Sequence, residues 1–259
     1  MTKYNFLSMK PIICRSIRVW AILCIVVLKS YGQSGIITYN KKYYWANIAA
    51  KMPFLSVEEK DRILLTWGSD DGDYKGQDYQ LAFNNTGSVY RMKEKEENYG
   101  YSWGEDEDVF IRNFENRTTS DQRELLGKLY LIEEEIPKIK WKILNELKEV
   151  AGYVCMKAET RDTVYDIVIT AWFTDKIKCS GGPEGFGGLP GTILELIYNT
   201  DDMHIIATKT ELSEEQIKLP LPKKVKGKKV TYQEYNSKKK KHITLSIAGR
   251  RNPFWELRY

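Results

Sequence analysis

Six of the chain's eighteen glycines fall between Gly181 and Gly191, inside "CSGGPEGFGGLPGTI" (Cys179 to Ile193), with Pro183 and Pro190 among them. Such a run can cradle a phosphate, hold a catalytic turn, or shape the entry to a strand. A dinucleotide fingerprint needs G-x-G-x-x-G opening a helix. Here Gly185-x-Gly187 is followed at once by Gly188, and the β-branched "TILELIY" after it reads as a strand. A P-loop needs a lysine, and the stretch has none. Leu189-Pro190-Gly191-Thr192 instead fits a type II turn, with proline presetting φ and glycine supplying a positive φ. Phe186, Gly187, Gly188, Leu189, Pro190 and Gly191 are therefore a structural loop first and a candidate binding loop second, with the glycines leaving room for Phe186 or Trp172.

Other chemistries find little support. The two histidines, His204 and His242, form no H-x-H or H-x-x-x-H pair, and C-x-x-C is absent, so a transition-metal site is not expected. No G-x-S-x-G elbow accompanies either histidine. Asp70-Asp71-Gly72-Asp73 could hold a weak Ca²⁺ through its carboxylates, but without the EF-hand spacing it reads as a solvated turn, and Glu105 to Asp108 is a second acidic run leading into a strand at Val109. Asp162-Thr163-Val164 matches a short acceptor pattern for O-glycosylation and equally the chemistry of a hairpin turn. No cofactor is expected.

The elements that must position these residues begin after residue 32. Residues 1–32 hold Lys3, Lys10, Arg15, Arg18 and Lys29 with no acid, then the apolar "VWAILCIVVL" (Val19 to Leu28) and Ser30-Tyr31-Gly32. This is the order of a signal peptide, and its apolar core is shorter than the roughly 20 residues of a membrane span. The chain's net charge of +5 resides wholly in that segment. The mature chain is electrically neutral, which removes the main support for a nucleic-acid partner. Export to the periplasm, the outer membrane or the medium is expected. Two cysteines remain, Cys155 and Cys179, and in an oxidising compartment they are either a candidate disulfide or two unpaired thiols.

Period-two patterns dominate from there. Strands are expected over 35–45, 78–85, 88–93, from Val109, in "RELLGKLYLIEE", and in "KWKILNELKEV", which also fits a helix by composition. Hairpins follow over 152–174, turning at Thr160 to Thr163, and over 192–212, turning at Asp201-Asp202. Ser56-x-x-Glu59 is a capping box for one short helix, with Ile63, Leu64 and Trp67 on one face. Residues 223–241 hold nine lysines against Glu234 alone. There Thr231-x-x-Glu234 caps a second helix, with Lys238, Lys239, Lys240 and Lys241 in its last turn. That basic patch reads as a solvated cluster or as a weak membrane-surface contact. The expected organisation is a signal peptide (1–32), one β domain (33–222) and a Lys-rich C-terminal segment with a short helix (223–259).

Four stretches occur in a familiar order: "WKI" at Trp141 to Ile143, "GYVCMKA" at Gly152 to Ala158, "TAWFT" at Thr170 to Thr174, and "GGPEGFGGLPGTILEL" at Gly181 to Leu196. They resemble the GLPGLI family of exported bacterial proteins over about Trp141 to Leu212. Thr192 stands where the naming motif has leucine, and Cys179-Ser180 where a short polar stretch is usual. The resemblance implies export from a Gram-negative cytoplasm and a mostly antiparallel β structure, and it brings no catalytic residues. The fold expected is mainly β, a curved antiparallel sheet resembling a half-barrel, with one or two short helices. The function expected is a non-enzymatic envelope protein that binds a ligand, a lipid or an outer-membrane partner. A hydrolase-type enzyme with its site near the Gly182–Gly191 loop is the alternative.

Overall fold

The structure, a computed structural model, describes residues 33–68, 76–93, 106–255 and 257. Residues 1–32, where a signal peptide is expected, and the Asp70–Asp73 cluster lie outside the described residues. Twelve strands form one mainly antiparallel sheet: β1 (Ser34–Tyr43), β2 (Gln77–Phe83), β3 (Gly87–Met92), β4 (Val109–Asn113), β5 (Thr118–Leu125), β6 (Lys128–Glu135), β7 (Lys142–Val150), β8 (Tyr153–Asp162), β9 (Ile167–Thr174), β10 (Thr192–Tyr198), β11 (Met203–Ser213) and β12 (Lys228–Lys229). Three helices accompany them: α1 (Trp45–Ala50), α2 (Val57–Trp67) and α3 (Tyr232–Ala248). The spatial order is β12-β6-β5-β4-β3-β2-β1-β11-β10-β9-β8-β7, and the sheet does not close. Among the described strands, only β12 pairs in parallel, with β6.

Local chemistry explains the hairpins. Leu126 and Gly127 both take positive φ (53° and 71°), as do Ala151 and Gly152 (50° and 82°). This is the signature of two-residue turns whose twist matches their flanking strands. The first of these turns divides "RELLGKLYLIEE", which the alternation presents as one strand, into the end of β5 and the start of β6. Trp45 opens α1 rather than ending β1. Both capping boxes form: Ser56 Oγ accepts from Glu59 N at 3.2 Å, and Thr231 Oγ1 from Glu234 N at 3.1 Å. The apolar side of α2 is not buried, however, and Leu65 is 83% exposed. The lysines do not end α3 either. The helix continues through Ile243, Leu245 and Ile247 to Ala248 and places Lys238–Lys241 in its middle.

The main core gathers Ile37 and Tyr39 of β1, Leu81 and Phe83 of β2, Tyr90 of β3, Phe173 of β9, and Ile193 and Leu196 of β10. A smaller cluster joins Leu125, Tyr130 and Ile132 to Tyr235 of α3 and to Leu257. In a flat sheet β5 and β8 would stand eight strand spacings apart, roughly 38 Å at ~4.8 Å each. Both strands nevertheless line the same cleft. The sheet therefore curls along its length, as the half-barrel reading expected.

Gly191 marks a close backbone approach where the chain enters β10 beside β9. Its φ is +143°, and a β-carbon there would collide with the Thr174 carbonyl oxygen. Gly191→Ala is expected to destabilise the protein by about 3 kcal/mol, read as a lower midpoint in denaturant melts with unchanged slope.

Candidate functional site

Polar side chains set in phase with apolar ones build one wall of the cleft. On β4, Phe110 and Arg112 share a face; on β5, Thr119, Asp121 and Arg123 share the opposing positions, with Phe110 paired to Asp121 and Arg112 to Thr119. The Arg112 guanidinium forms an ion pair with Asp121, in which the carboxylate is fully buried. Asp121 also accepts hydrogen bonds from Thr119 Oγ1 at 2.7 Å and from the Tyr232 hydroxyl at the start of α3. Arg123 donates to Asp108 Oδ2 at 3.0 Å and lies 4.6 Å above the Phe110 ring. Burial pushes the Asp108 carboxyl up to about 6, against the pull of Arg123. The acidic run reaches this wall at Asp108, which is claimed by Arg123 and by Glu124 N (2.6 Å).

The glycine loop builds the opposite wall. Pro183–Gly185 forms one 3-10 turn in which Glu184 takes the left-handed conformation (φ 54°). That places its carboxylate 2.8 Å from Lys41 of β1, with both side chains almost wholly buried. Burial is the largest influence and opposes the Lys41 charge, but Glu184 together with Tyr43, Tyr79 and Asp106 outweighs it and raises the ammonium's pKa. Gly185 donates nothing to this wall except its carbonyl, which accepts from Arg112 Nη2 at 3.1 Å. A side chain at Gly185 would occupy the guanidinium's place.

The candidate loop residues divide. Phe186 lines the cleft and meets Tyr198 edge-on and Trp141 at a tilt, each at 6.1 Å between centroids. The Gly187 carbonyl accepts from Trp141 Nε1 at 2.9 Å, so the bulky neighbour is Trp141, whereas Trp172 lies under Lys148. Gly188 and Pro190 are exposed, and Leu189 is in the core. The turn closes through Gly191 N to Leu189 O at 2.8 Å, a three-residue turn about Pro190 rather than the type II turn expected. Thr192 makes two polar contacts: its hydroxyl donates to Ile177 O at 2.9 Å and accepts from Cys179 N at 3.2 Å.

Cys155 and Cys179 are both buried and free in this structure. Burial pushes the Cys155 thiol up to about 11 and the Cys179 thiol up to about 12, so both are poor nucleophiles at neutral pH. His204 approaches Thr200 O at 3.4 Å and His242 approaches Ser246 Oγ at 3.3 Å, and neither lines the cleft. No group of His, Cys, Asp and Glu able to hold a metal occurs among the described residues. The Asp162 carboxylate accepts from Val164 N at 2.7 Å and from Tyr165 N at 3.0 Å, which makes the Asp162-Thr163-Val164 stretch a side-chain-closed turn.

Between the two walls lies a cleft of about 660 Å³. Phe110, Tyr165, Phe186 and Tyr198 supply its aromatic surface, and Arg112, Asp121, Arg123, Asp162 and Glu184 its charged groups. One residue of the basic patch reaches it. Lys238, Lys240 and Lys241 are exposed, but Lys239 is 6% exposed, lines the cleft, and sits 4.3 Å above the Tyr165 ring. Burial, with Arg123 adding to it, lowers the Lys239 ammonium to about 7. The sequence offered a signal for the Arg112, Asp121 and Arg123 wall, namely charges in register with inward apolar positions. It offered none for the loop that faces them.

A family model described as the N-terminal domain of N-glycanase peptide matches residues 126–236, less than half of the chain. Among solved structures, PNGF-II in the C2 space group aligns with a TM-score of 0.50 at 17% identity, over 80% of this chain and 32% of that one. The same protein in the P21 space group aligns at 0.48 and 16% identity, over 80% and 34%. The chain thus spans about a third of the length of PNGF-II, and the likeness is one of fold. No curated protein matches the chain.

A buried ammonium without a carboxylate partner burdens the fold while it is charged. With its pKa lowered in the folded state, Lys239 contributes fully above the unfolded value and loses that contribution as pH falls through about 7. Lys239→Met is expected to raise stability at pH 6 by about 2 kcal/mol. The gain over wild type should fade as pH rises towards about 10, as read from paired denaturant melts.

Proposed function

We propose that this chain is an exported, non-enzymatic ligand-binding protein whose cleft receives a glycan. The observation that carries the reading is the lining of the cleft: flat aromatic faces beside charged groups already fixed in orientation. Aromatic rings stack on the apolar faces of sugar rings, while oriented carboxylates and guanidinium groups accept from and donate to hydroxyls. A lipid tail would leave Arg112, Asp121, Arg123 and Asp162 facing hydrocarbon, at a cost of several kcal/mol. The matched glycanase-domain model spans much of the cleft, including the β8–β9 turn, the glycine loop and the start of α3. The GLPGLI-like motif run and the basic-then-apolar N-terminus support export, where glycans are encountered.

The engaged state of the carboxylates favours binding over turnover. Asp121 is held by Arg112 and Tyr232, Glu184 by Lys41, and Asp162 by two backbone amides. Carboxylates fixed in this way present their remaining lone pairs in set directions, which suits recognition of hydroxyl groups.

Retention of the purified protein on a panel of immobilised oligosaccharides tests the reading. The expected outcome is binding that the double substitution Phe186→Ala and Tyr165→Ala weakens by about tenfold or more, with the circular dichroism spectrum retained. Absence of binding to any oligosaccharide, with a lipid recovered by solvent extraction instead, would overturn it.

A further inference from the structure

The described cations buried within the fold follow a rule that one of them breaks. Lys41 is paired with Glu184 and Arg112 with Asp121; Arg123, nearly as enclosed, is paired with Asp108. Lys239 has no hydrogen bond or ion pair to any described residue. Its ammonium is held only by the faces of Tyr165 (4.3 Å) and Tyr235 (5.6 Å). A buried charge is retained when something compensates it, and a ring face returns less than a hydrogen-bonded carboxylate does. The side chain also reaches two cavities at once, the large cleft and a small one beside it, both of which it shares with Arg123.

Building on the glycan-binding reading, we propose that Lys239 is an acid-recognising subsite. It takes a carboxylate carried by the sugar, so that the ligand class is an acidic saccharide bearing a uronic or sialic acid. The surroundings favour a monoanion. Arg123 faces the ammonium from β5, but Asp162 faces it from the end of β8, Asp108 from the segment before β4, and Glu184 from the glycine loop. A phosphate dianion would meet those three carboxylates with twice the charge. A single carboxylate completes the pairing that the other three cations already have. Tyr235 and Asn236 of the same helix and Tyr165 of the β8–β9 turn leave the ammonium open towards the cleft.

The sign of the pH effect follows from the geometry. The lone ammonium is easily deprotonated, since burial and Arg123 oppose its charge, and a bound carboxylate restores the charge and draws a proton from solution. Acidic ligands therefore bind more tightly below about pH 7 than above it.

Titration calorimetry of the purified protein with trigalacturonate against its methyl ester, and with 3′-sialyllactose against lactose, at about pH 6 and about pH 8.5, tests the assignment. The expected result is a preference for the acid form of about tenfold at pH 6 that shrinks by pH 8.5. Lys239→Met should abolish that preference while leaving the neutral forms bound. Lys239→Arg should keep the preference and lose its pH dependence, because a guanidinium stays charged at both pH values. Equal binding of acid and neutral forms, or an acid preference that survives Lys239→Met, overturns the subsite and leaves the glycan reading standing. Stronger competition by inorganic phosphate than by the sugar acids overturns the carboxylate assignment. No binding of any saccharide overturns both readings.

Discussion

The curl of the sheet turns on the Arg112 guanidinium. One edge of it grips Asp121 on the neighbouring strand β5; the other donates to the Gly185 carbonyl in the loop between β9 and β10. Along the hydrogen-bonded order of strands, β4 and β10 are five positions apart. A single side chain thus connects the β2–β6 half of the sheet to the β7–β11 half across its face. Gly185 is what permits the connection, because any larger residue would stand where the guanidinium lies. Remove the bridge and the cleft loses the fixed distance between its walls.

Such a bridge is not a large source of stability. Desolvating a guanidinium and a carboxylate costs nearly what their attraction returns, and a well-packed apolar pair does as well or better. The stability resides in the aromatic and aliphatic core around Tyr39, Tyr90, Phe83 and Phe173. The ion pairs supply direction. Once Arg112, Asp121, Tyr232 and Thr119 hold one another, none of them can rotate to hide from a ligand, so a cleft lined by them is ready before anything enters. Lys41 does the same for Glu184, whose left-handed backbone would otherwise be a cost without a return.

Much of this was legible in the sequence, and the divisions have physical causes. Strand alternation, the capping boxes at Ser56 and Thr231 and the hairpin at the β8–β9 turn are local, and local chemistry predicts them. The turn at Leu126-Gly127 was missed because leucine at positive φ is rare and the alternation runs straight through it. The lysine run was misplaced because four consecutive lysines look uniformly solvated. In a helix, however, consecutive residues point in directions 100° apart, so one of the four faces inward wherever the opposite side is packed. Lys239 faces inward because Tyr235, one turn earlier, packs against Tyr130 of β6. The wall contributed by the glycine loop is non-local: its partner strands lie some seventy residues earlier in the chain, and no pattern within the loop names them.

The glycine loop therefore reads differently in three dimensions than as a string. Gly185, at the cleft, makes room for Arg112, and Gly191 for the backbone of Thr174. The two residues that flank Gly185, Glu184 and Phe186, meet the cleft, one through a charge neutralised by Lys41 and the other through a ring propped on Tyr198 and Trp141. A run this rich in glycine would ordinarily be mobile, since glycine surrenders the most backbone freedom on ordering. Here its carbonyls are claimed by Arg112 and by the Trp141 indole, and the Thr192 hydroxyl at its far end ties back to Ile177 and Cys179 before it. The freedom of glycine is used to reach a shape, and long-range side chains then hold it. That is the arrangement by which a loop without a catalytic motif can still define a binding site.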